Sequence, residues 1–455
     1  MSMIETKILV PAGALGIPYD RAALARGLEA GPDLIAIDGG STDSGPHYLG
    51  TGTSKYSRSA TKADWAELMA ARAAAGIPLL IGTAGTCGTD SAVDWMLNIT
   101  LEIAHERDER LKIVTLKSGQ DSKTITEAFE ADCLTALDAA PAIDTDIIRD
   151  TSNIVALAGI EQIQAALDTG ADIIIAGRAT DTAVIAALPI ARGCHRGAAW
   201  HGAKVAECGA LATTNPNSGV ILMTFDDSGF VIEPMAENAA ATPYTVSAHM
   251  LYENADPFIL HEPGGYLDVT GASYTALDER VVRVEGSQWH DNYPYTVKLE
   301  GARHVGFQTV SMVMVRDSHY RAHIEEWVAA LKASFVKKAA ARQLEDVMLE
   351  MRIIGHNATL GALEKAPGEG GEVGVMAIFT SPSQSRSTEA AKLLNPDLLH
   401  LPLTQHEPMP TFAFPFSPPE MERGALYEFC LHHTLKLDDP MSAFRLSIME
   451  SSRDG

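Results

Sequence analysis

Residues 171–177 (ADIIIAG) set the first limit on the fold. Three consecutive isoleucines show no polar–apolar alternation, so both faces of the strand they form must be buried. Such a strand belongs inside a parallel sheet covered by helices on each side. Runs at 7–10, 33–38, 77–82 and 111–116 share this apolar character. Ala- and Leu-rich stretches at 22–29, 63–75, 92–107 and 159–167 alternate with them as crossover helices. The expectation is an α/β chain whose residues 1–205 form a mostly parallel, Rossmann-like layered sheet.

The pattern changes after Gly209. Short strand candidates at 220–225, 230–233, 266–270, 281–285 and 296–299, with one helix candidate at 246–253, mark residues 206–305 as a β-rich middle segment. In the last third, strands at 309–316, 347–354, 372–380 and 398–403 and helices at 319–342 and 385–394 read in the order βαββαβ. That order predicts a ferredoxin-like α+β lobe over 306–455, with a further edge strand at 427–437.

Charge removes several function classes. The chain carries 35 Lys+Arg against 59 Asp+Glu, a net charge of −24. Phosphate contacts need clustered basic residues, so nucleic acid is excluded as a partner, and so are anionic membranes. No apolar run approaches the roughly 18 residues of a membrane span. The first residues lack a basic segment followed by an apolar one, and five cysteines contain no CxxC pair. These features predict a cytoplasmic protein with no zinc framework.

Three strand ends carry loops of one kind. Gly39-Gly40-Ser41-Thr42-Asp43-Ser44 follows the second strand. Gly82-Thr83-Ala84-Gly85-Thr86-Cys87-Gly88-Thr89-Asp90 follows the third, and Gly177-Arg178-Ala179-Thr180-Asp181-Thr182 follows the fifth. Carboxyl ends of parallel strands share one edge, where ligands bind. The three Thr-Asp pairs are therefore expected on one crevice. Glycine loops and helix N-termini present N–H groups to an anion. Gly40, Ser41, Thr42, Ser44, Gly85, Thr86, Gly88, Thr89 and Thr180 are the expected cradle. Arg58 and Arg178 are the expected carboxylate clamps, since guanidinium binds carboxylates bidentately. Asp43, Asp90 and Asp181 suit acid/base work or a divalent cation such as Mg²⁺. The competing reading is that Asp and Thr here only cap helices.

A second cluster holds His201, Lys204 and Glu207, three residues apart on one expected helix face. His201 or Lys204 would donate the proton, and Glu207 would assist in binding; a solvated helix with an ordinary Lys–Glu pair is the alternative. His249 reads as a packed residue, and His261-Glu262 as part of a turn. His432 and His433 point to opposite faces of a strand and make no metal pair. No loop is a GxGxxG or GxxxxGK[ST] motif, so NAD and FAD find no support, and neither does PLP. An iron–sulfur cluster would need three thiolates at one site, with only Cys87, Cys194 and Cys208 as candidates.

The segments IDGGSTDSGPHYLGTG, IPLLIGTAGTCGTD, GADIIIAGRATDTA, GAKVAECGAL, TVSAHMLYENADPF, EPGGYLDVT, VKLEGA, HNATLG and TFAFPFSPPEMERGALYEF together resemble the acyclic terpene utilisation (AtuA-like) family. The resemblance runs over about residues 7–437. It implies a catabolic enzyme for branched, terpenoid or dicarboxylic acids, often beside CoA-dependent enzymes, sometimes with a small companion protein. It carries no catalytic residues. The expectation is an enzyme acting on a small carboxylic or hydroxy acid or its CoA ester, by hydration/dehydration (a carbon–oxygen lyase) or isomerisation, and forming a homo-oligomer. The alternatives are a non-catalytic or metabolite-binding subunit of a degradation complex, and a metal-dependent hydrolase.

Overall fold

The computed structural model describes residues 5–451 apart from 367 and 369. It is a mixed α/β protein. Strands β1 (Thr6–Val10), β2 (Leu34–Asp38), β3 (Leu79–Gly82), β4 (Lys112–Lys117) and β5 (Ile173–Ala176) pair in parallel in the spatial order β1-β2-β3-β5-β4. Every residue of β2, β3 and β5 is buried.

Alternate side chains feed two cores. Ile8, Leu34, Leu80, Val114 and Ile174 pack with the helices Ile160–Leu167, Ala183–Ala191 and Arg196–Ala206. Leu9, Ile35, Ile81, Ile113, Ile173 and Ile175 pack with Arg21–Glu29, Arg58–Ala75 and Asp90–Glu106. The unbroken isoleucine run is thus a two-sided core strand, each side chain worth about 1.5–3 kcal/mol of burial.

The chain forms two compact units rather than three: Met1–Arg303 with Phe429–Gly455, and His304–Glu428. Part of the expected middle segment, 206–305, extends the same sheet, while Ile259–Glu262, Gly265–Asp268 and Gln288–Asp291 form a three-stranded sheet of their own. Ile221–Phe225 pairs antiparallel with β1, and Gly229–Pro234, Val282–Glu285 and Ser273–Ala276 follow outward. An open β1 edge with unpaired N–H and C=O groups captured these strands, so they needed no core of their own. At the far edge, Arg445–Glu450 pairs antiparallel with β4. The expected boundary at 306 is close to the observed one, but residues after Phe429 return to the first unit.

In the second unit, the end of Tyr295–Val315 leads into Ser318–Ala322 and Ile324–Ala340, then Met348–Ile354, Val373–Ser381 and the helix Gln384–His400. Trp327, Leu331, Phe335, Phe379, Leu394 and Leu398 form its core. The expected strand at 398–403 is absent. Leu394 and Leu398 lie four apart on the buried helix face, and the helix runs on to His400. The next strand is Glu420–Leu437, and this sheet is ordered Met348–Ile354, Val373–Ser381, Tyr295–Val315, Glu420–Leu437. Among the described residues, no helix is long and apolar enough to cross a membrane.

Candidate functional site

The parallel strands of the first unit deliver their carboxyl ends to one edge, as the sequence pattern requires. Two cavities open there. The first, of about 550 Å³, is lined by Gly40, Ser41, Asp43, Ser44, Lys55, Thr86 and Asp181 among others. The second, of about 420 Å³, is lined by Arg178, Thr180, Asp181, Thr182, Lys204, Glu207 and Glu262 among others. Asp181 and Glu253 border both.

Asp43 and Asp181 therefore share a cavity. Asp90 does not join them. It opens the helix Asp90–Glu106, accepts the Gly119 N–H at 3.0 Å, and pairs with Arg445. That places Asp90 and Thr89 on a third, separate cavity. The capping alternative holds for Thr89, which accepts from the Ala92 N–H, while in the first loop Ser41 accepts from the Asp43 N–H.

The expected anion clamp is already spent. Arg178 is buried and grips Glu300 with Nε–Oε2 3.0 Å and Nη2–Oε1 3.4 Å. Thr42 is buried too, and its hydroxyl donates to Glu300 at 3.1 Å. Burial would push the Glu300 carboxyl up, but the Arg178 and Lys298 charges win and hold its pKa at about 2. Arg58 lies outside both cavities, at the start of its helix, with Nη2 2.5 Å from Glu102. Both arginines found carboxylates within the protein, which satisfies their charge without a ligand. Lys55 borders the first cavity, donating to Ser44 Oγ at 2.9 Å, with its ammonium 5.3 Å from the Tyr56 ring centroid.

Two of the expected loop glycines are packing devices. Gly85 has φ +64°, and an added Cβ would meet Ala92 at 2.8 Å. Gly88 has φ +65°, and an added Cβ would lie 2.3 Å from the Arg178 main-chain nitrogen. Gly88 accordingly lets the second loop touch the third, with Arg178 N–H donating to its carbonyl at 3.0 Å.

His201 is not a cavity residue. Its helix is buried from Gly197 to Ala206, against the solvated alternative, and its Nδ1 meets Ser287 Oγ at 2.7 Å while Nε2 meets Tyr274 Oη at 3.3 Å. Burial holds its pKa at about 3, so it is a neutral core imidazole and a poor proton donor. Lys204 and Glu207 do form the expected pair, buried in the wall of the second cavity. Burial pulls the Lys204 pKa down, but the pairing with Glu207 outweighs it and raises the pKa, while burial lifts Glu207 itself to about 8 against the pull of Lys204.

Three acids gain importance. Asp38, the last residue of β2, is buried with Oδ2 accepting from Gly40 N–H at 2.9 Å and Oδ1 unpartnered. Burial and the nearby Asp181 push its pKa well above the carboxylate range. Burial also raises Asp181, against the pull of Arg178 and Lys204. Glu262 accepts the Thr182 hydroxyl at 2.5 Å, and burial lifts it to about 7 although the Thr182 and Thr180 hydroxyls oppose this. Asp38 and Glu262 were not among the expected site residues. The first was legible as an acid ending a wholly apolar strand; the second sits on a hairpin whose fold is not written in its local spacing.

The family model described as acyclic terpene utilisation family protein AtuA matches residues 51–395, well over half of the chain. The chain belongs to this family. Within the AtuA match lie Asp181, Lys204, Glu207 and Glu262; Asp38 and Asp43 precede it. No curated protein and no solved structure matches the chain. Among the described residues, Asp43, Asp90 and Asp181 do not form a group able to share a metal ion; Glu207, Cys208 and His249 do.

Proposed function

We propose that this AtuA-family protein is an acid–base enzyme that adds or removes water, or shifts a double bond, next to the carboxyl group of a small hydroxy or carboxylic acid or its CoA ester. One observation carries the reading. Asp181 stands on the wall common to two cavities, with the buried Asp38 on the first and the half-buried Glu262 on the second. Burial moves such carboxyls toward neutral pH, where one group can give a proton and another accept it.

In this reading the substrate carboxylate or thioester oxygen sits against Lys55 and the hydroxyls of Ser41 and Ser44. Its hydrocarbon part lies on Ile17, Pro18 and Leu211, which also line the first cavity. Asp181 takes the proton from the carbon next to the carboxyl group. A protonated Glu262 hands a proton to the departing hydroxyl, and Lys204 steadies the negative charge with its ammonium. Arg58, Asp90 and His201, which lie outside these two cavities, have no part in it.

The test incubates the purified protein with a panel of hydroxy acids, unsaturated acids and their CoA esters in D2O. Mass spectrometry reads the gain or loss of water and deuterium at carbon. The expected result is turnover of at least one member, with Asp181→Asn lowering kcat at least 100-fold, the scale of a lost general base, about 10²–10⁴. Full activity in Asp181→Asn sinks the mechanism. Ligand-induced stabilisation across the panel with no exchange at all would favour the metabolite-binding subunit instead.

A further inference from the structure

We infer that Glu207, Cys208 and His249 form a binding site for a divalent cation of the zinc class. Their candidate ligand atoms, a carboxylate oxygen, Sγ and a ring nitrogen, lie within 4.8 Å of one another. Ligands around a tetrahedral zinc stand roughly 3.2–3.8 Å apart given bonds of about 2.0–2.3 Å. The three atoms need to close by about 1 Å, which side-chain rotation supplies.

An independent observation points the same way. His249 is 5 % exposed, and its Nε2 has no hydrogen-bond partner. A buried ring nitrogen left empty is uncommon, because unmade hydrogen bonds are costly. A cation at the Nε2 lone pair would give that buried nitrogen the partner it lacks.

The charge pattern fits as well. Lys204 engages only Oε1 of Glu207, so the other oxygen is open to an ion. Cys208 borders the first cavity and Glu207 the second. An ion between them keeps a position for water or a substrate oxygen, as three-ligand zinc sites do. Thiolate and imidazole select zinc or cobalt over magnesium, whose sites are built from oxygen. The ion so held is softer than the Mg²⁺ expected at the loop aspartates, and its site joins the end of Arg196–Ala206 to the end of Pro243–His249.

This site is independent of the acid–base reading, because its test uses no substrate. Metal content of the purified full-length chain is measured by mass spectrometry, before and after chelator treatment and reloading with Zn²⁺ or Co²⁺. About one ion per chain is expected, by the affinity such ligand sets show. The cobalt form should show a thiolate-to-cobalt charge-transfer band in the near ultraviolet. That band should vanish in Cys208→Ser and persist in Cys194→Ser, and His249→Gln should weaken binding at least tenfold. Substoichiometric metal under both loadings overturns the site. So does equal binding in Cys208→Ser and His249→Gln. If those variants fail to fold, the wild-type cobalt spectrum decides alone: bound cobalt without the thiolate band also overturns it.

Discussion

Replacing Glu300 by glutamine should cost the first unit about 3–5 kcal/mol, the usual penalty for stranding one member of a buried ion pair. The side chains of Arg178 and Glu300 are 8 % and 7 % exposed, so solvent cannot screen the loss. A second route gives the same scale. Glu300 is held at about 2 in the fold against an ordinary 4.5. That difference is worth about 3 kcal/mol at about 1.4 kcal/mol per pKa unit. A depressed carboxylate contributes fully above its unfolded pKa. Its contribution fades as pH falls from the ordinary value of 4.5 toward the folded value of about 2. Urea unfolding followed by tryptophan fluorescence measures this, because Trp65, Trp95, Trp200 and Trp289 lie in the first unit and only Trp327 in the second. Glu300→Gln should lower the urea midpoint at pH 7 with an unchanged m-value, and should flatten the acid limb of stability. The double variant Arg178→Met/Glu300→Leu should recover most of the loss, since hydrophobic replacement of the whole pair is often neutral. A single-variant cost below about 1 kcal/mol, the exposed-pair range, would refute the claim that this pair is desolvated.

Other outcomes follow from the same geometry. His201→Gln should remove a pH dependence. The native imidazole is neutral down to about 3, whereas an unfolded histidine protonates near 6.5, so stability should fall less steeply between those pH values in the variant than in the wild type. Gly88→Ala should cost at least about 2 kcal/mol, because strain at positive φ adds to the clash with Arg178, and soluble yield or Tm reads it. Arg58→Ala should leave Tm and turnover as in the wild type, and a large loss of turnover would return Arg58 to the site. Lys55→Met should raise KM more than it lowers kcat in whichever reaction the substrate panel identifies; an unchanged KM would remove Lys55 from substrate binding.

The parallel core was legible because Ile173, Ile174 and Ile175 cannot share one face and must all be buried. The loop chemistry was legible only in part. Which Thr-Asp loop reaches the common crevice depends on what else competes for each acid. Asp90 met Arg445, a residue more than 300 positions away, and was drawn to a different cavity. Arg178 met Glu300 across an equally unpredictable distance in sequence. His201 and Lys204 were placed on one helix by their spacing, but the helix is buried on every side, so spacing alone could not say which would face a cavity. Asp38 is the instructive omission: an acid closing an all-apolar strand is costly to bury and therefore informative. The long final helix of the second unit absorbed an expected strand because Leu394 and Leu398 fit a helical face as well as they fit a strand.

The return of the chain to the first unit after Phe429 has a consequence for how the protein is made. A ribosome delivers β4 long before its neighbour Arg445–Glu450, with the whole second unit synthesised between them. During that interval β4 has one open hydrogen-bonding edge, beside an apolar sheet that is otherwise complete. Open edges invite pairing with other chains. Nascent chains stalled before Arg445 should therefore be the aggregation-prone species. Addition of Arg445–Glu450 moves the open edge from the buried, apolar β4 to a short strand with mostly exposed side chains.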